Sequence, residues 1–301
     1  MAARIGAAAM LAAALALAAA GPTLGATTAA DLFYERALMT AADGACRLFA
    51  PDVSAALVAA KVQARGAALR SGADPASLAA LEARAGAAAQ AAGCASPGIA
   101  TAAQRVRQAF AGYARLDHLD FPGDFAGWTA ERAPDAGAAR WRVSQADRFG
   151  WDEMRFGLVG KGPSRPLMAV AAFADGAQPY GARLVMRDPA ATTGPFLDVR
   201  QADIAGRIPI DGRLPPRAAT RVFAAEAMSP AGRDLKAPGE GEAWAFRFPA
   251  AAADALAGLD PRESAAVEFL FAGDGGDAAR TAYVEVGDFA AARAFDAIPQ
   301  R

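Results

Sequence analysis

The chain has 301 residues, 54% of them hydrophobic, which is long and apolar enough for a folded core and excludes a disordered chain. Its 31 basic and 32 acidic residues nearly cancel, so it carries no electrostatic footprint for nucleic acid or for an anionic lipid surface. Two cysteines and one histidine fall short of an ordinary four-ligand zinc site, and no phosphate-loop or dinucleotide fingerprint implies a cofactor.

The first predicted element is a leader. Arg4 precedes an uncharged apolar run from Ile5 to Ala20, about 16 residues against the roughly 20 that a membrane span needs. Gly21 and Pro22 break the run, and the small residues that follow end at Ala26. Residues 1–26 therefore read as a cleaved signal peptide, which predicts a periplasmic or secreted protein with no membrane span after cleavage.

Residues 27–119 read as a helical bundle. Thr27 and Thr28 are cap residues ahead of "AADLFYERALMTAADG", where Leu32, Phe33, Leu38 and Met39 recur at helical spacing and Gly44 offers a stop. Pro51-Asp52 opens a second helix with Val53, Leu57, Val58, Val62 and Leu69 on one stripe and Lys61, Arg65 and Arg70 away from it. Asp74-Pro75 opens a third, and Ser96-Pro97 or Thr101 a fourth. The faces are rich in alanine, so the helices approach closely while each buries little area. Cys46 falls at the end of the first helix and Cys94 just past the third, a spacing unlike the C-x-x-C of a redox pair. In an oxidising compartment these two are expected to form a structural disulfide that staples the bundle.

Residues 120–138, "DFPGDFAGWTAERAPDAGA", concentrate Gly, Pro and Asp and read as a linker, with Phe121, Phe125 and Trp128 packing it along one domain. From 139 to 301 the period changes to two. Trp244, Phe246 and Phe248 alternate with Ala245 and Arg247, and Leu184 and Met186 alternate with Arg183 and Arg187. Val267, Phe269 and Phe271 lead through "GDGGD" to Val284 and Val286, a hairpin with a longer loop. "PLMAVAAFAD" suits a central strand beside "DEMRFGLVG", while "PAAAADALAGL" and "GDFAAARAFDAI" are short helices. The fold class is thus α+β: a disulfide-stapled bundle, then a β-rich antiparallel sandwich or curved sheet carrying two short helices. The proline-rich stretch from Asp188 to Pro216 is its long irregular segment.

Candidate chemistry is sparse. His118 lies among Asp117, Asp120 and Asp124 at the expected end of the fourth helix, where it suits a general base or a metal ligand with carboxylate support. A histidine interacting with a helix C-terminal dipole fits the same position and is the preferred reading. No G-x-S-x-G or S-x-x-K pattern supplies a nucleophile. Asp274 and Asp277 in the "GDGGD" turn are the candidate calcium ligands, although such a turn needs the same residues for positive φ. Asp152 and Glu153 follow Trp151, and Glu240 and Glu242 precede Trp244; aromatics beside carboxylates can stack on sugars, yet they also occur as solvated strand ends next to core tryptophans. These observations predict a non-enzymatic exported module that binds an envelope protein or polymer. The rival expectation is a carboxylate-dependent hydrolase of envelope or extracellular polymers.

Overall fold

The computed structural model describes residues 28–132, 137–161, 164–236, 241–273 and 276–299; the leader at 1–26 lies outside them. Four helices open the described chain: α1 (Ala29–Cys46), α2 (Pro51–Arg70), α3 (Pro75–Ala92) and α4 (Pro97–Tyr113). Their starts follow local chemistry. Thr28 and Asp31 cap α1 reciprocally, Asp74 accepts from the Ser77 amide at the start of α3, and proline occupies the first turn of α2, α3 and α4. The expected stop at Gly44 is not used. Helix α1 runs on to Cys46 and ends at Arg47, which takes the left-handed conformation at φ 51°. The overrun puts Cys46 beside the end of α3, where it forms the disulfide to Cys94.

Helix α2 packs against both α1 and α4. Val53, Leu57 and Leu69 are buried as the stripe requires, but Val58 is exposed, and Ala56, Ala59, Ala60, Ala64 and Ala68 fill the contacts in its place. Small side chains on more than one side of α2 let several neighbours approach at once. Arg70, expected in solvent, instead donates two hydrogen bonds to Asp288 at 2.8 and 2.9 Å.

Among the described residues eleven strands follow, with two α-helices among them. In chain order they are β1 (His118–Phe121), β2 (Trp128–Glu131), β3 (Arg140–Phe149), β4 (Asp152–Gly160), β5 (Leu167–Ala172), β6 (Gly181–Arg187), β7 (Thr220–Ala224), β8 (Ala227–Pro230), β9 (Trp244–Arg247), α5 (Ala250–Ala257), β10 (Ser264–Phe271), β11 (Ala278–Glu285) and α6 (Phe289–Asp296). Seven strands form one antiparallel sheet in the order β1-β2-β3-β4-β5-β9-β8, and four form a second in the order β11-β10-β6-β7. Strand β5 is internal to the first sheet and pairs with β4, as its two-sided apolar character anticipates.

The stretch read as a linker supplies β2 and the end of β1. Phe121 and Trp128 are buried there, and the Trp128 indole donates to the backbone carbonyls of Glu285 and Val286. Four-residue strands between Gly and Pro are too short to register as a period. Phe156 and Phe246 from the first sheet and Leu184, Val267 and Phe269 from the second belong to one hydrophobic core, together with Phe289 and Phe295 of α6 and Leu57, Val106 and Phe110 of the bundle. The Phe246 and Phe269 rings, 5.3 Å apart, bridge the two sheets.

Candidate functional site

The site is built on the shortest connection in the first sheet. Phe149 pairs with Asp152 across β3 and β4, leaving only Gly150 and Trp151 to turn the chain. Gly150 has φ +66°, a left-handed conformation that glycine adopts without strain and that a two-residue hairpin loop uses. The turn holds Trp151 at its tip, where the side chain is 92% exposed. The other three tryptophans are buried or partly buried, so this indole stands apart from the core pattern.

Trp151 borders two clefts. One, of about 480 Å³, lies at the end of the sheet where β4 begins, β5 ends and β9 begins, and is lined by Trp151, Glu153, Phe173, Glu242 and Trp244. The other, of about 870 Å³, is lined by Asp147, Asp152, Asp175, Arg280 and Tyr283, and reaches Ile210 of the long irregular segment. A third, of about 360 Å³, lies near Phe125, Arg155 and Leu235 and shares Asp147 and Glu153 with its neighbours.

Arg280 organises the second cleft. Its guanidinium donates to Asp152 at 3.0 Å and to both oxygens of Asp175, at 3.1 and 2.6 Å, while lying 4.7 Å over the Phe271 ring. These bonds and the Ala177 amide hold the Asp175 carboxyl down to about 2, so it stays ionised. Asp152 is buried and also accepts from the Ala174 amide, which ties the loop after β5 to the start of β4. Asp147 behaves oppositely: burial pushes its carboxyl up, against the bonds it accepts from the Arg148 and Tyr283 amides. Arg148 pairs with Glu153 at 2.6 Å.

The other candidates fall elsewhere. Helix α4 ends at Tyr113, so His118 is not at its terminus but is the first residue of β1. Its exposed ring sits between Glu131, 2.6 Å from Nδ1, and Asp120, 3.2 Å from Nε2; these two bonds, Glu131 first, hold the imidazolium form to a raised pKa. Asp120 also accepts from the Thr129 hydroxyl, and the Asp117 carbonyl accepts from the Arg132 amide. His118 lines none of the three clefts. Asp274 and Glu240 lie outside the described residues, and Asp277 accepts from the Tyr180 hydroxyl at 2.6 Å. Among the described residues no group of three or more His, Cys, Asp or Glu side chains is arranged for a metal ion.

Among the described residues, the buried carboxylates that escaped sequence reasoning include Glu285, Glu263 and Glu268, all engaged internally. Glu285 accepts from the amides of Asp124, Phe125 and Ala126. Glu263 accepts from Arg187 and from the Phe196 and Asp260 amides, while Glu268 pairs with Arg183 and Arg217. Glu263 fastens the long irregular segment to the second sheet through the Phe196 amide, Glu268 holds Arg217 just past that segment, and the strand period gave no sign of partners so distant in sequence. The Gly150-Trp151 turn was not read from the sequence either; its only signal is a Gly-Trp pair between the mixed stretches "RWRVSQADRF" and "DEMRFGLVG". No family model, curated protein or solved structure matches the chain, so the geometry alone carries the functional argument.

Proposed function

We propose that this chain is an exported, non-enzymatic binding module that engages an envelope or extracellular partner through the end of its first sheet. The observation that carries this reading is Trp151, fully presented on a tight turn between two clefts. An indole held out at a turn tip offers a large apolar face and one N–H donor to a partner, and a two-residue turn presents it with little flexibility to lose on binding. The apolar leader and the Cys46 to Cys94 bond support the periplasmic or secreted setting. Among the described residues no helix is long and apolar enough to cross a membrane.

One observation favours a second reading, the carboxylate-dependent hydrolase. Asp147, pushed up by burial, and Asp175, held down to about 2, line one cleft, and carboxyls driven apart in this way are how acid and base roles divide. Against it, Asp152 and Asp175 are both committed to Arg280.

A single experiment separates the two. Mature protein with its disulfide intact is sedimented with insoluble envelope material of its host, beside Trp151→Ala and Asp147→Asn, and the polymer chain lengths are measured afterwards. The binding module predicts retention that falls at least about tenfold with Trp151→Ala and a polymer left intact by the native protein and by Asp147→Asn alike. Polymer shortened by the native protein and not by Asp147→Asn would establish the hydrolase. Equal retention of native protein and Trp151→Ala would remove this face from the function.

A further inference from the structure

We infer that the clefts beside Trp151 bind a glycan chain, and that the chain is uncharged or carries amino groups rather than acidic ones. The inference rests on the binding reading above and names its ligand class. The motivating juxtaposition is chemical. Two indoles, Trp151 and Trp244, line one cleft together with two carboxylates, Glu153 and Glu242. A pyranose presents a flat face of C–H groups and a rim of hydroxyls. An indole face carries the negative side of its quadrupole and attracts such C–H groups, while a carboxylate is an acceptor-only group suited to hydroxyl or ammonium donors.

Charge narrows the choice. Among the described residues, the two clefts are lined by Asp147, Asp152, Glu153, Asp175 and Glu242 against Arg148 and Arg280. Arg280 is already paired with Asp152 and Asp175, and Arg148 with Glu153. The field over Trp151 is therefore negative, which repels phosphate polymers and uronates and favours neutral or amine-bearing sugars. A protein hot spot would instead need a dry ring of apolar contacts around the anchor. Of the other strongly exposed apolar side chains, Val199 and Ile204 lie on the irregular segment and line neither cleft. The clefts, about 480 and 870 Å³, fall in the roughly 300–1,000 Å³ range of small-molecule sites and flank the indole on two sides, which suits a chain passing over it.

The test is calorimetry and tryptophan fluorescence on the mature, disulfide-bonded protein with β-1,4-linked tetramers of N-acetylglucosamine, glucosamine, glucose and galacturonic acid. Binding of at least one of the first three with Kd below about 1 mM is expected, weakened at least tenfold by Trp151→Ala and retained in large part by Trp151→Phe. Glu242→Gln should weaken the glucosamine tetramer more than the glucose tetramer. Trp151 is solvent-facing, so an unchanged unfolding midpoint for Trp151→Ala will show that the loss is local. The inference is overturned if none of the three neutral or amine-bearing tetramers binds, if Trp151→Ala binds as the native protein does, or if galacturonate binds tightest. Should the tetramers fail while retention on envelope material still depends on Trp151, the glycan assignment falls and the binding module stands.

Discussion

Glu285 shows what one buried charge does for this fold. The loop from Pro122 to Gly127 wraps its carboxylate so that three consecutive amides point at it: Asp124 at 2.8 Å, Phe125 at 2.8 Å and Ala126 at 3.1 Å. Gly123 makes the approach possible, because a Cβ there would stand 2.3 Å from the Ala126 carbonyl oxygen and 2.8 Å from the carboxylate. The Gln145 amide completes the arrangement, accepting from the Glu285 amide and donating to the Glu285 and Ala126 carbonyls. Glu285→Ala strands those donors, and at about 1 kcal/mol or more for each it should cost about 3 kcal/mol. Glu285→Gln keeps one acceptor but turns an NH₂ toward an amide donor, so it should fall between the two. Urea midpoints check the order, and a Glu285→Ala protein as stable as the native one would contradict it. The alternation of β11 marks Val284 and Val286 as core, which leaves Glu285 on the other face. Nothing in that alternation reveals a loop that arrives from about 160 residues earlier in the chain.

At the scale of elements, starts were more legible than ends. A cap or a proline acts on its own neighbours, so Thr28, Pro51, Asp74 and Pro97 mark the helix beginnings directly in the sequence. The end of α1 depends on what lies beyond it, and here the chain bypasses Gly44 so that Cys46 reaches Cys94. Strands β5, β6, β9, β10 and β11 were legible because each carries a sustained alternation or a fully apolar run. Strands β1 and β2 were not, because their burial comes from contacts with α6 and β11 rather than from a period. The disulfide joins the ends of α1 and α3 across a sequence separation of 48. In the chain-entropy model a loop of that length stabilises the native state by about 4 kcal/mol. Replacing both cysteines with serine should lower the urea midpoint by the corresponding amount, and full reduction of the native protein should do the same. A shift below about 1 kcal/mol would mean that the alanine-packed interfaces hold α1 and α3 together without the staple.

The molecule as a whole is tied together where the bundle meets the sheets. Helix α2 packs on α6, and across that contact Arg70 makes its bidentate pair with Asp288, the buried cap residue of α6. Gly66, one turn earlier on α2, leaves the room: a Cβ there would meet the Asp288 carboxylate at 2.7 Å. One core runs through this junction, from Leu57 and Phe110 through Phe295 and Phe289 to Trp128, so exposing either half strips apolar cover from the other. Removing one partner of a buried pair is more damaging than replacing both, because the remaining charge keeps its desolvation cost. Arg70→Ala should therefore destabilise by about 3 kcal/mol, less than a fully buried pair would give because the arginine is 22% exposed, while Arg70→Met with Asp288→Leu should recover part of the loss. The location of the tryptophans supplies the readout. All four lie in the β-rich part, at 128, 141, 151 and 244, whereas most of the helix signal in circular dichroism comes from the bundle. If the shared core governs folding, fluorescence and helix signal will fall at one urea midpoint, and Arg70→Ala will move both together. Separate midpoints, or a shift confined to the helix signal, would show the bundle and the sheets folding as independent units despite their common interior.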